Sequence, residues 1–186
     1  MPKCAETHQI HTECVGVAVQ RQELKFGSRV AVEGLSVSAD RLVLTKTEAA
    51  QRRCGGMLEP PVSTAERSYV EWVIEEADAS CYIMLGVTGL EAAPAAGTGI
   101  YESPCSRMYY CKDSKAHSGG SGRNWGATGR RSKGDRVGLL VHGGSLSVYV
   151  NGELLGQGPM ATDLPAQVVW VWGWVECLAC KLLHHC

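Results

Sequence analysis

Three sets of residues in this sequence have types and spacings that chemistry can use. The first is Cys4, His8, His11 and Cys14, a C-x3-H-x2-H-x2-C run of zinc-ligand types. On a helix, positions 4, 8 and 11 share a face, but four ligands from one helix cannot surround an ion tetrahedrally. Other residues would have to join them, and His184, His185 and Cys186 could do so if the termini are close. A loose tail with incidental ligands is the simpler reading, and no metal site is expected. The second set is Cys177-Leu-Ala-Cys180. A redox pair of this spacing wants a helix N-terminus. Here it lies in a strand pattern, where positions i and i+3 face opposite sides, so neither a disulfide nor chelation is expected. The third is His142, with Asp135 and Ser145 close in sequence. No serine sits in a nucleophile-elbow motif and no paired carboxylates stand out. The sequence therefore predicts no catalytic residues, no cofactor and no enzyme.

Two further sets suit binding rather than bond-making. Residues 112–136 carry seven basic and two acidic side chains, with Gly119, Gly120, Gly122, Gly126 and Gly129 among them, in a chain whose remainder is net acidic. The segment reads as a long, basic, flexible loop. Arg123, Arg130, Arg131 and Lys133 have the charge to clamp phosphate, and Trp125 the ring to stack a base. Yet there is no G-x-x-x-x-G-K-[ST] and no strand-to-helix context. A solvated loop is the first reading, an acidic protein partner the next, and nucleic acid or phosphate the alternative function. The other set is Trp170, Trp172 and Trp174, at spacing two, with Val169, Val171, Gly173 and Val175 between them. Either the indoles are core and the valines meet another layer, or the valines face the core and the indoles form an exposed stripe that marks a partner site. A bulge at Gly173 would split the set. Trp172 is the indole expected at a strand end, accessible to a partner.

Composition bounds what can position these residues. The chain has 186 residues, 45% hydrophobic and 20% charged, enough for one domain with a sizeable core. A net charge of −1 gives no global reason to bind nucleic acid or an anionic membrane. No run of 18 apolar residues exists, so no transmembrane helix is expected. The opening MPKCAETHQIHTEC lacks the apolar stretch of a secretory signal. Nine cysteines, odd in number and irregular in spacing, argue against a disulfide framework. Reduced thiols and an intracellular, cytoplasmic setting are the expectation.

Residues 1–27 read as a polar N-terminal arm. From residue 28 the hydrophobic period is two. Residues 29–32, 35–38, 41–45, 68–75 and 81–87 are strand candidates. The strongest local signal spans 136–156. Val137 to Val141 form one strand, His142-Gly143-Gly144-Ser145 a tight turn, and Leu146, Val148 and Val150 alternate with polar neighbours. Asn151-Gly152 then signals a type I′ turn before a third short strand at Leu154-Leu155. Residues 167–183 are two strands or one long bent one. No amphipathic helix of ten residues is convincing, so an all-β sandwich or barrel is predicted.

The hairpin resembles the signature of the SPRY domain. Gly134-Asp135-Arg136-Val137-Gly138 matches its GD-x-[IV]-G strand, and Leu146-Ser147-Val148-Tyr149-Val150-Asn151-Gly152 the strand that ends in NG. Tyr69-Val70-Glu71-Trp72-Val73 is similar to the family's Y-[YW]-E-V strand, Ile83 to Val87 to its [VI]-G-[VL] strand, and Leu164-Pro165 with Val168 to Val171 to its late strand. Gly158-Pro159-Met160 and Ala166-Gln167 depart from the family's aromatic and Tyr-Pro positions.

The resemblance spans about residues 28–183 and implies a bent antiparallel β-sandwich of concanavalin-like, jelly-roll type, over a domain at 28–186. It implies a non-catalytic module that binds a peptide or protein through loops at one end. Val171-Trp172-Gly173 resembles a triplet of the SPRY proteins that carry a SOCS box, where it helps form a peptide pocket, and Tyr101 is nearest to that group's loop tyrosine. No SOCS box follows the resemblance, so ligase recruitment is not among the expectations. The expected partner site is Tyr101, Val171, Trp172 and Gly173, with Trp125, Arg130 and Arg131 setting charge preference. The expected role is that of a subunit in a larger protein assembly, with no membrane and no nucleic acid bound.

Overall fold

Among the residues that the computed structural model describes (24–27, 35–46, 54–76, 82–91, 99–174 and 179–185), nearly every run of two-residue hydrophobic period is a strand. The strands are β1 (Lys25–Phe26), β2 (Leu35–Val37), β3 (Val43–Lys46), β4 (Cys54–Glu59), β5 (Val62–Ser63), β6 (Ser68–Glu76), β7 (Ile83–Gly89), β8 (Arg107–Tyr110), β9 (Lys115–Ser118), β10 (Ser121–Arg123), β11 (Arg136–His142), β12 (Ser145–Val150), β13 (Glu153–Leu154), β14 (Gln167–Trp174) and β15 (Ala179–His185). A 3₁₀ turn, Ile100–Glu102, is the helical element among the described residues. Sheet 1 runs β1-β4-β14-β7-β8-β9-β10, with β5 beside β14, and sheet 2 runs β13-β12-β11-β6-β15-β3-β2. Every pairing is antiparallel.

The two sheets face each other across one apolar core. Sheet 2 contributes Val70, Trp72, Ile74, Val137, Leu139, Val141, Leu146 and Val148; sheet 1 contributes Phe26, Leu58, Leu85, Val87, Tyr109, Trp170 and Trp172. Trp72 and Trp170 meet edge to face across the gap, ring centres 6.4 Å apart. Such a pair adds roughly 0.5–1.5 kcal/mol beyond its buried area. Leu24 and Phe26 are in this core, so the sandwich begins before residue 28, where the expected arm ended. Residues 1–23, with Cys4, His8, His11 and Cys14, lie outside the described residues, as do residues 28–34, Cys177 and Cys186.

The signature hairpin forms as predicted, with Asn151 and Gly152 at φ 53° and 88°. Its two motifs also hold each other. Asn151 Nδ2 donates to Asp135 Oδ1 at 3.0 Å, and the Arg136 amide donates to Asn151 Oδ1 at 2.9 Å. The expected flexible loop at 112–136 is different from its prediction. It contains the β9–β10 hairpin, turned by Gly119-Gly120 at φ 54° and 81°, and then a strap that closes the open side of the sandwich. Arg123 Nη2 donates to Met160 O at 2.6 Å, and the Trp125 ring lies against Gly156. Thus the edge of sheet 1 is tied to the segment beside β12. Ser114, buried and at φ 58°, is the hub: its carbonyl accepts Trp125 Nε1 at 2.7 Å, and its hydroxyl donates to Gly129 O. Glycine and charge dominated the composition, but Arg123 and Arg131 are spent on backbone carbonyls and Arg136 on the Glu71 carboxylate.

Candidate functional site

The alternation along β14 settles which side each residue serves. Trp170 and Trp172 point into the inter-sheet core and are fully buried. Val169 and Val171 point outward and meet a second layer, as one of the two sequence readings required. The expectation that Trp172 is accessible at a strand end is therefore corrected. It pairs with Gly56 on one side and Leu85 on the other, in the body of sheet 1. The sheet is wider than the sequence suggested because β4, with Gly55-Gly56 in place of β-branched residues, flanks β14.

The second layer covers the outer face of sheet 1. Met57, Met84, Met108, Ile100, Val169 and Val171 are buried together, and Tyr101 and Tyr110 pack half-buried against them. Ile100 and Tyr101 arrive on the 3₁₀ turn. Its carbonyls accept locally, Glu102 N–H to Gly99 O at 2.9 Å and Ser103 N–H to Ile100 O at 3.2 Å. The Tyr101 carbonyl anchors the turn, accepting the Gly120 amide at 2.8 Å and the Ser106 hydroxyl at 2.7 Å. Nearby, Arg107 grips Asp163 with two nitrogens, which ties the start of β8 to the loop before β14. That pair holds the Asp163 carboxyl below its usual range.

On this layer stands a ridge of half-buried rings. Tyr101 meets His117 edge-on at 6.3 Å, His117 meets Tyr110 edge-on at 5.5 Å, and Tyr110 stacks on Tyr82 at 6.3 Å. Lys112 Nζ sits 4.0 Å over the Tyr82 ring, within cation–π range. His117 lies flat over Gly122, where an added Cβ would come within 2.9 Å of the imidazole. Neither ring nitrogen of His117 has a hydrogen-bond partner, and both are shut off from solvent. Burial lowers its pKa from the ordinary 6.5, with Asp113 raising it and Lys115 lowering it to lesser degrees.

The sequence-predicted residues separate into three places. Tyr101, Val171 and Gly173 share the outer face of sheet 1, Gly173 lying against Met84 and Met108. Trp172 is on the opposite face. Trp125, Arg130 and Arg131 are on the strap. Arg131 is turned inward, with Nη2 donating to Thr128 O at 2.9 Å and Ser114 Oγ at 3.3 Å, while Arg130 is exposed. His117, Tyr110, Tyr82 and Lys112 were missed as a site. Met108 and Tyr110 alternate with inward Tyr109, a period-two signal only four residues long.

The outer face of sheet 2 carries a different arrangement. Glu71 is buried beside β11; Arg136 donates to its Oε1 through Nε at 2.8 Å and through Nη2, and Tyr69 Oη donates to its Oε2 at 3.0 Å. Burial and this carboxylate push the Tyr69 phenol up to about 12. The glycine of the GD-x-V-G run is needed here, since a Cβ on Gly138 would fall 2.0 Å from the Tyr69 hydroxyl.

No protein-family model matches the sequence, and no curated protein matches it. Solved structures do. The SPRY domain of human HERC1 is similar over 81% of this chain and 92% of its own, at 13% identity and a TM-score of 0.64. A human SPRY domain is similar over 81% and 94%, at 17% identity and a TM-score of 0.62. The TRIM65 PSpry domain is similar over 88% and 93%, at 16% identity and a TM-score of 0.67. With the two antiparallel sheets, the signature hairpin and the register of β6, β7 and β14 all in place, the chain has the fold of a SPRY domain.

Proposed function

We propose that this chain is a non-catalytic interaction module that holds a peptide or protein partner on the outer face of sheet 1, where Tyr101 stands. The reading rests on the half-buried ridge of Tyr101, His117, Tyr110 and Tyr82 over an apolar layer. Rigid aromatic rings with one side packed and one side wet are the kind of surface that supplies binding energy at low entropic cost. Val171 and Gly173 then act as the floor of the site and Trp172 as core beneath it, without touching the partner. Exposed Arg130 and Lys133 tune on-rate toward an acidic partner. Nucleic acid is the weaker reading, because Arg123, Arg131 and Arg136 are engaged within the sandwich.

The module works as a subunit of a larger assembly inside the cell. Exposed Cys105 and buried Cys111 are not joined in disulfides, which fits a reducing setting. Among the described residues no helix is long and apolar enough to cross a membrane.

The test is affinity capture from native extract with the wild-type chain and a Tyr101→Ala/Tyr110→Ala variant, at two salt concentrations, with the urea midpoint of each checked first. The expected outcome is a defined protein that the wild type captures and the folded variant loses. Equal capture by both would move the site to the strap or to sheet 2. Elution of the native protein near the mass of the single chain on gel filtration would count against the assembly.

A further inference from the structure

We infer that His117 is a proton-sensitive latch: neutral, it holds the Tyr101 turn against the outer face of sheet 1, and protonated, it lets the turn go. Tyr101 from the 3₁₀ turn and Tyr110 from β8 meet the His117 ring edge-on, and Gly122 of β10 lies beneath it. These neighbours offer aromatic edges and backbone, and no oxygen within hydrogen-bonding reach of either nitrogen. A neutral imidazole tolerates that setting at the cost of two unmade hydrogen bonds. An imidazolium there would bury a charge with no acceptor, which is far more expensive.

The charged groups around the ring do not repair this. On the β8–β9 turn and β9, Asp113 and Lys115 act on it with opposite signs and pair with each other at 2.7 Å. Lys112, on the same turn, is seated over Tyr82. On the 3₁₀ turn the charged side chain is Glu102, which lies by Gly120 in the β9–β10 turn, and on β10 it is Arg123, which is committed to Met160 O. Relief therefore comes from movement of the short turn, which the bonds of the Gly120 amide and the Ser106 hydroxyl to the Tyr101 carbonyl hold in place. It is three residues long and has no side-chain cap hydrogen bond at its start. Through it, the state of His117 is coupled to the position of Tyr101.

The sign follows. A histidine whose folded pKa lies below 6.5 contributes its closing effect fully above 6.5 and loses it as pH falls through the lower folded value. The site is thus complete at neutral pH and loosened by acid. The functional consequence rests on the reading of the Tyr101 turn as the partner site, but the latch is tested without a partner. Amide hydrogen exchange on the full chain, corrected for intrinsic rates, is compared at about pH 7.5 and about pH 5 for the wild type and for His117→Phe. The amides to follow are those of Glu102, Ser103, Ser106 and Gly120, with β12 as the internal reference. Wild-type protection in the turn should fall by up to about tenfold per pH unit below 6.5, one proton being taken up per opening, while β12 is unchanged. The Phe variant, which keeps the flat ring and cannot titrate, should show no such fall.

A flat wild-type profile, or an equal fall in the variant, overturns the latch. Should the variant misfold, the proton resonances of the His117 ring in the wild type decide: a titration midpoint at or above 6.5 would mean that the tyrosine rings hold the imidazolium, and the inference fails. If the latch is found but partner capture ignores Tyr101→Ala, the site reading fails and the latch stands.

Discussion

β6, the central strand of sheet 2, and β14, an interior strand of sheet 1, carry the same inward pattern with opposite outward solutions. β6 turns Val70, Trp72 and Ile74 inward, and β14 turns Val168, Trp170 and Trp172 inward. Outward, β6 presents Tyr69 and Glu71, and the face closes with a polar network in which both carboxylate oxygens of Glu71 are used. Outward, β14 presents Val169, Val171 and Gly173, and the face closes with methionines and a 3₁₀ turn, leaving one polar ring, His117, without partners. A satisfied network fixes one geometry. An apolar layer under a short turn with an unsatisfied polar group does not. The difference marks sheet 2 as frame and the outer face of sheet 1 as the surface built to respond.

The largest test of that contrast is Met108→Ala. Met108 is fully buried between Gly86 and the tyrosines, so its loss should cost about 2–5 kcal/mol, read as a drop in urea midpoint at constant m. An effect below about 1 kcal/mol would mean that the outer layer collapses freely and carries no defined site. Next is Glu71→Ala, expected to cost about 1–3 kcal/mol. Tyr69 loses its acceptor inside the sheet, while Arg136, more than half exposed, rehydrates and limits the loss. Glu71→Gln keeps the shape and an acceptor for Tyr69 and should recover part of it. Smaller again is the alkaline response of Tyr69. Its phenol ionises at about 12 when folded against 10 when free, so the folded state is favoured below pH 10 and loses that advantage as pH rises from 10 to 12. The urea midpoint of the wild type should therefore fall between pH 9 and pH 11 more steeply than that of Tyr69→Phe.

The same contrast explains what was legible beforehand. The β11–β12 hairpin could be read because two independent signals coincide there, period-two alternation and an Asn-Gly turn. β4 could not, because Gly55 and Gly56 give no propensity signal; Gly55 lets Ile100 and the Trp172 backbone come close. β9 and β10 were obscured because Lys, Arg and Gly set the composition of residues 112–136, whereas Ala116 turns inward to the core. Tyr101 was reached through family resemblance, and its neighbours His117 and Tyr82 were not, since sequence spacing says nothing about rings brought together across three strands and a turn. A stripe at spacing two likewise leaves both faces of β14 open. What chose between them was Met57, Met84 and Met108, from three different strands.

The smallest expected effect is the most discriminating. His117→Phe replaces the imidazole by a ring of similar outline with no nitrogen to desolvate. If the two nitrogens are as unpartnered as their surroundings indicate, nothing is lost on substitution, and removing an unmet polar demand offsets the slight extra bulk over Gly122. Stability at pH 7.5 should then change by no more than about 0.5 kcal/mol, or rise, in contrast to the loss at Glu71. A loss above about 1 kcal/mol would show that His117 makes hydrogen bonds that hold the face together. In that case both sheets would be closed by polar networks, and the distinction between frame and responsive surface would go.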